Sequence, residues 1–138
     1  MGGNGSANMN AVSSPGEYIE TGTWFGNVKV TAAIRHYGDS MVEYPNGCIL
    51  ALKKISDFDN VVWGRNYVIE TDEIRVTKRI QSGSDESTIT AYSTNKEQYP
   101  DGRQIHEPFF IKKSKIRTIF LVVGRIVKEN GAGSLIKM

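Results

Sequence analysis

Ile74-Arg75-Val76-Thr77-Lys78-Arg79-Ile80 alternates apolar and polar side chains along its length, the period-two pattern of a strand with one face turned to a core. Ile74, Val76, Lys78 and Ile80 share one face; Arg75, Thr77 and Arg79 share the other. Lys78 therefore stands where an apolar residue is expected. Burial disfavours an ammonium ion, lowers its pKa and can leave a neutral amine near neutral pH. The preceding run, Trp63 to Thr71, joins this strand through Asp72-Glu73 and completes a hairpin.

Outward from this hairpin the pattern stays β. Asn27 to Arg35 alternates with Val28, Val30, Ala32 and Ile34 on one face, and Cys48 to Leu52 is a short apolar run after the Pro45-Asn46-Gly47 turn signal. Gln81 to Ser87 is a polar loop, Thr88 to Tyr92 a strand, and Glu97 to Arg103 holds a Pro-Asp-Gly turn. Ile119 to Val127 is the most apolar strand, interrupted by Gly124, and Lys113 to Ile119 is the one short helical candidate. Many short strands with polar turns predict a mainly β, compact, highly curved antiparallel domain.

A chain of 138 residues suits one domain with a real core. Hydrophobic residues at 39% and charged residues at 23% fit a soluble globular protein, and a net charge of +2 is too small to imply a nucleic-acid surface. Cys48 is the only cysteine, which excludes an intrachain disulfide and a cysteine-based metal site. No apolar run is long enough to span a membrane, and the N-terminus lacks the basic and apolar regions of a secretory signal. A cytoplasmic location is expected. Residues 1–17 are dominated by Gly, Asn, Ser and Ala and have little to bury; they read as a flexible arm, the remnant of an interdomain hinge. The folded domain is expected over 18–130, with a tail at 131–138.

Ser40, in Gly38-Asp39-Ser40-Met41, is the candidate nucleophile. Gly38 permits the sharp turn that an exposed nucleophile needs after a strand. A neutral lysine beside a serine hydroxyl is a general base beside a nucleophile, the chemistry of a Ser-Lys hydrolase. Either feature alone has a bland reading: a common Gly-Asp-Ser turn, or a lysine that snorkels to the rim. Other constellations fail. The Asp-x-x-His partner of Gly-Asp-Ser-type esterases is missing, since Arg103 stands three before His106. No phosphate loop, cofactor motif or metal-ligand spacing is present. The basic run Lys112-Lys113-Ser114-Lys115-Ile116-Arg117 reads as a solvated face, with DNA contact the sharper alternative. Trp24, Phe25, Trp63, Tyr67 and Tyr92 read as core or dimer-contact aromatics.

Ala33 to Met41, followed by Pro45 to Ala51, resembles the nucleophile signature of the LexA-like self-cleaving domains, and Val76-Thr77-Lys78-Arg79-Ile80 resembles the strand that carries their lysine. The separation of Ser40 and Lys78 is close to that family's usual spacing. The resemblance spans about residues 18–128 and is greatest to the C-terminal domains of phage-type repressors. It implies a LexA C-terminal-domain fold, of the type shared with signal peptidases, that forms a homodimer. It further implies Ser40 as nucleophile, Lys78 as general base, and the backbone N–H groups of Asp39 and Ser40 as the oxyanion hole. In such proteins the serine cuts the linker to an N-terminal helix-turn-helix domain, which is not present in this chain, and thereby frees operator DNA. A RecA filament or an antirepressor can be the trigger. No cofactor is implied. The family cuts at Ala-Gly or Cys-Gly; here Gly2-Gly3 is the best-placed candidate bond, and the one Ala-Gly, Ala132-Gly133, lies at the far end. Cys48 stands where the family has aspartate. The alternative is a dimerisation and partner-binding module with the same fold and no catalysis.

Overall fold

The computed structural model describes residues 19–20, 24–25, 28–129 and 132–137, with side chains from 29 to 126. The arm at 1–17 and the candidate bond Gly2-Gly3 lie outside the described residues. Eleven strands follow in chain order: β1 (Ile19–Glu20), β2 (Trp24–Phe25), β3 (Val28–Lys29), β4 (Ala32–Arg35), β5 (Ile49–Lys54), β6 (Asn66–Glu70), β7 (Arg75–Ser82), β8 (Thr88–Tyr92), β9 (Phe109–Lys112), β10 (Thr118–Glu129) and β11 (Ala132–Lys137). One sheet runs β1-β4-β5-β10-β6-β7-β8-β9, with β11 added to β10; β2 and β3 pair separately. Every ladder is antiparallel. The protein is mainly β, and among the described residues no helix is long and apolar enough to cross a membrane.

β10 is the hub. Phe120 to Ile126 pairs with β5, Thr118 to Leu121 pairs with β6, and Gly124 to Glu129 pairs with β11. The β5 register slips between Val122 and Gly124, a bulge that bends the strand and tightens the twist. Period-two alternation then builds two cores. Val68, Phe120 and Val122 join Ala32, Ile34, Met41, Tyr44, Leu50 and Leu52. Tyr67, Ile69 and Ile119 join Val76, Ile80, Ile89, Ala91 and Ile111. Since successive residues of β6 and β10 feed different clusters, the two cores lie on opposite faces of the central strands. Each fully buried aliphatic side chain contributes about 1.5–3 kcal/mol.

The hairpin read from the sequence is present as β6 and β7, in the register Tyr67↔Lys78 and Glu70↔Arg75. Two expectations need correction. The continuous strand over Asn27 to Arg35 is broken into β3 and β4, because Thr31 turns its N–H and hydroxyl to the carbonyl of Leu52. Lys113 to Ile119 is not helical: a single 3-10 turn at Lys113–Lys115 gives way to β10 at Thr118. The ladder to β6, with Thr118↔Glu70 and Ile119↔Ile69, outcompetes a short helix built on β-branched residues.

Candidate active site

Chain reversal after β4 places Ser40. His36 keeps the ladder going one step past β4, donating its N–H to Cys48 O at 2.8 Å and accepting from Gly47 N–H at 2.6 Å. Gly38 then takes φ +102, a left-handed conformation costly for any residue with a Cβ, and its N–H donates to Asn46 Oδ1 at 2.8 Å. Gly47 repeats the device at φ +89; an added Cβ there would meet nothing within 4 Å, so backbone conformation alone demands glycine. Beyond the turn, Tyr44 N–H closes on Met41 O at 3.1 Å, and both side chains are anchored in the first core. Ser40 is 1% exposed, and its Oγ has no hydrogen-bond partner among the described residues.

Lys78 is 4% exposed on β7, flanked on its own face by Val76 and Ile80 and directly opposite Tyr67. Burial lowers its pKa from 10.5 to about 8. Its ammonium or amine donates to Ser93 Oγ at 2.8 Å. The β7–β8 register explains this partner. Arg79 faces Tyr92 and Ile80 faces Ala91, so the next rung brings Ser93 opposite Lys78, on the inward face that also carries Ile89 and Ala91.

The tripeptide Ser93-Thr94-Asn95 touches each part of the site. Ser93 holds Lys78. Thr94 Oγ1 accepts from Val42 N–H at 2.8 Å and donates to Glu43 Oε1 at 2.5 Å. Asn95 donates its backbone N–H to Ser40 O at 2.9 Å and its Nδ2 to Asp39 O at 2.8 Å. The Cα atoms of Ser93 and Asn95, two residues apart, lie within about 7 Å of each other, so Lys78 Nζ and the Ser40 carbonyl are held by one short stretch of chain. Ser40 Oγ and Lys78 Nζ are not hydrogen-bonded to one another.

Around this centre the charges are arranged in layers. Burial pushes the Glu43 carboxyl up, but hydrogen bonds from Thr94 and Asn66, together with the Arg79 charge, outweigh it and hold the group below the usual range. Arg79 closes the network with 2.8 Å to Glu43 Oε2 and 2.9 Å to Asn66 Oδ1. His36 is fully buried with neither ring nitrogen partnered among the described residues, and its ring packs edge-on to Tyr44 at 5.7 Å. Burial first, and the Lys78 charge second, lower its pKa to about 4, so it is neutral at physiological pH. His106 Nε2 lies 3.2 Å from Asp39 Oδ1, close enough for an ion pair yet without hydrogen-bond alignment.

The structure thus ties Lys78 and the Asp39–Ser40 backbone to one tripeptide, without a direct contact between the Ser40 and Lys78 side chains. The tripeptide after β8 escaped the sequence reading. Its signal was present as the alternation Ile89, Ala91, Ser93, but pairing Ser93 with Lys78 requires the register across the Gln81 to Ser87 loop. A groove of about 470 Å³, with Phe58, Ile116 and Ile119 among its lining and Lys54, Lys113 and Arg117 beside them, lies at the opposite end of β5 from the Ser40 turn. It contains neither member of the dyad. Among the described residues no group of three His, Cys, Asp or Glu side chains could hold a metal ion. Comparison with family models, curated proteins and solved structures finds no match to this chain.

Proposed function

We propose that this chain is a Ser-Lys peptidase domain of the LexA-like, self-cleaving kind, the dimerising regulatory part of a cytoplasmic repressor. The observation that carries the reading is Lys78: a buried amine with a pKa near 8, held by the same tripeptide that grips the carbonyls of Asp39 and Ser40. Neutral Lys78 removes the Ser40 proton as Oγ attacks the carbonyl carbon of a peptide bond in the protein's own linker. The resulting ammonium returns the proton to the leaving amine, and a water activated by the same amine releases the acyl group. The developing oxyanion is received by backbone N–H groups at Asp39 and Ser40. Cleavage separates the dimerising domain from a DNA-binding domain, and monomers lose the avidity of two half-sites. A homodimer, operator DNA and a RecA filament or antirepressor are the partners of this reading, and Gly2-Gly3 is its candidate bond.

The protein as its gene encodes it should lose intact mass when incubated from pH 7 to about pH 10, near the reference lysine value. With a midpoint near 8, about one Lys78 in ten is neutral at pH 7 and about nine in ten at pH 9, so the rate should rise about tenfold over that interval. Ser40→Ala and Lys78→Ala should each abolish the cut. Cleavage persisting in either variant would overturn the assignment.

A second reading, a non-catalytic dimerisation module with the same fold, is favoured by one observation. Lys78 Nζ is engaged by Ser93, and Ser40 Oγ is left unpartnered among the described residues. A protein that stays intact at every pH yet dimerises and binds DNA would select it.

A further inference from the structure

Asn95 makes two hydrogen bonds to the nucleophile turn, one from its backbone and one from its side chain. Its amide is held at both ends: Oδ1 accepts from Glu97 N–H at 3.0 Å, while Nδ2 donates to Glu97 Oε1 at 3.1 Å and to Asp39 O at 2.8 Å. Flipping the amide would set Oδ1 against two acceptors, the Glu97 carboxylate and the Asp39 carbonyl, so the donor end faces Asp39. Its own N–H takes the next carbonyl, Ser40 O.

The Asp39–Ser40 peptide is trans, and in a trans peptide the C=O and N–H point in opposite directions. Holding the Asp39 carbonyl on Asn95 therefore turns the Ser40 N–H away from Asn95. Among the described residues that N–H has no acceptor. A donor fixed in direction and left unpartnered is what a developing oxyanion needs, because no reorganisation is required when charge appears.

We infer that Asn95 is a positioning residue that aims the Ser40 backbone N–H as an oxyanion donor. The inference rests on the Ser-Lys reading above. It assigns separate tasks to neighbouring residues: Ser93 acts on the base, and Asn95 acts on the oxyanion site.

The test uses the full chain and a small dialkyl fluorophosphonate. In this reaction the Ser40 Oγ–P bond forms, the P–F bond breaks, fluoride leaves and the serine proton passes to Lys78. Labelling of wild type at Ser40, located by mass, should follow a pH midpoint near 8. Asn95→Ala and Asn95→Asp should slow it by about tenfold to a hundredfold, somewhat less than the 10²–10³ lost when an oxyanion donor is removed outright. The midpoint and the final labelled fraction should stay unchanged. Ser93→Ala should instead move the midpoint, since it alters the partner of Lys78. Glu97→Ala, which loosens the same loop without freeing Asp39, should label at the wild-type rate.

Asn95 variants that label as fast as wild type overturn the inference and leave the peptidase reading standing. Variants that lose labelled fraction at an unchanged rate also overturn it, because they show only a damaged fold. Wild type that never labels at Ser40 removes the peptidase reading, and the role of Asn95 falls with it.

Discussion

Lys78→Met should make the protein more stable at pH 7 while abolishing the Ser40-dependent chemistry proposed above. The folded state holds Lys78 at a pKa of about 8 against 10.5 for the free side chain, a difference worth about 3 kcal/mol. The sign follows from proton counts. Between pH 8 and 10.5 the unfolded chain binds more protons at this position than the folded one, so stability rises with pH through that window. Below pH 8 the full penalty applies; above 10.5 it has gone. Methionine fills a similar volume without a charge and fits between Val76 and Ile80. It strands the Ser93 hydroxyl, which returns about 1 kcal/mol. The net gain should be about 2 kcal/mol at pH 7, read as a higher denaturant midpoint at unchanged slope. The difference between variant and parent should shrink as pH is raised through 8 to 10.5. A variant no more stable than the parent at pH 7, or a difference independent of pH, would show that Lys78 carries no desolvation penalty. Stability sacrificed at one residue is a common signature of a functional site.

Much of this was legible in the sequence, and the reason differs element by element. The strand at Ile74 to Ile80 could be read because one misplaced lysine interrupts an otherwise regular alternation. Its facing strand followed from the short Asp72-Glu73 connection, which fixes register locally. By contrast, both faces of β7 are covered: Arg75 and Thr77 are buried as well, Arg75 through its 2.6 Å bond to Glu70. Alternation predicts one buried face and cannot report that a second layer packs on the other. β9 was missed because Phe109, Phe110 and Ile111 run without alternation at a sheet edge, where Phe110 stays 60% exposed. The proposed site shows the same division. Ser40 and Lys78 stand out as candidates from local pattern, whereas the contacts of Ser93 and Asn95 with them depend on registers and turns set by distant parts of the chain.

His36 supplies the second large effect, in the opposite pH range. It stands four residues before Ser40, fully buried just past β4 on the side of Ala32 and Ile34, and among the described residues both ring nitrogens lack partners. Burial, followed by repulsion from Lys78, lowers its pKa from 6.5 to about 4, with Glu43 opposing. The unfolded chain therefore binds more protons than the folded one between pH 4 and 6.5. Stability from this group is fully present above 6.5 and is lost as pH falls towards 4. Glu43, whose carboxyl is held below its usual value, adds its own loss of stability as the pH falls further. Between pH 6.5 and 4.5 the loss belongs mainly to His36 and should reach about 2.5 kcal/mol. His36→Leu should remove that loss, and should raise stability at pH 7 as well by taking two unpartnered nitrogens out of the core. Its rate profile should keep a midpoint near 8, because His36 is already neutral where Lys78 titrates. Denaturant melts at pH 7.0, 5.5 and 4.5 on parent and variant decide the matter. Parallel acid losses in the two proteins would mean that His36 protonates without strain and that its burial is relieved by local opening.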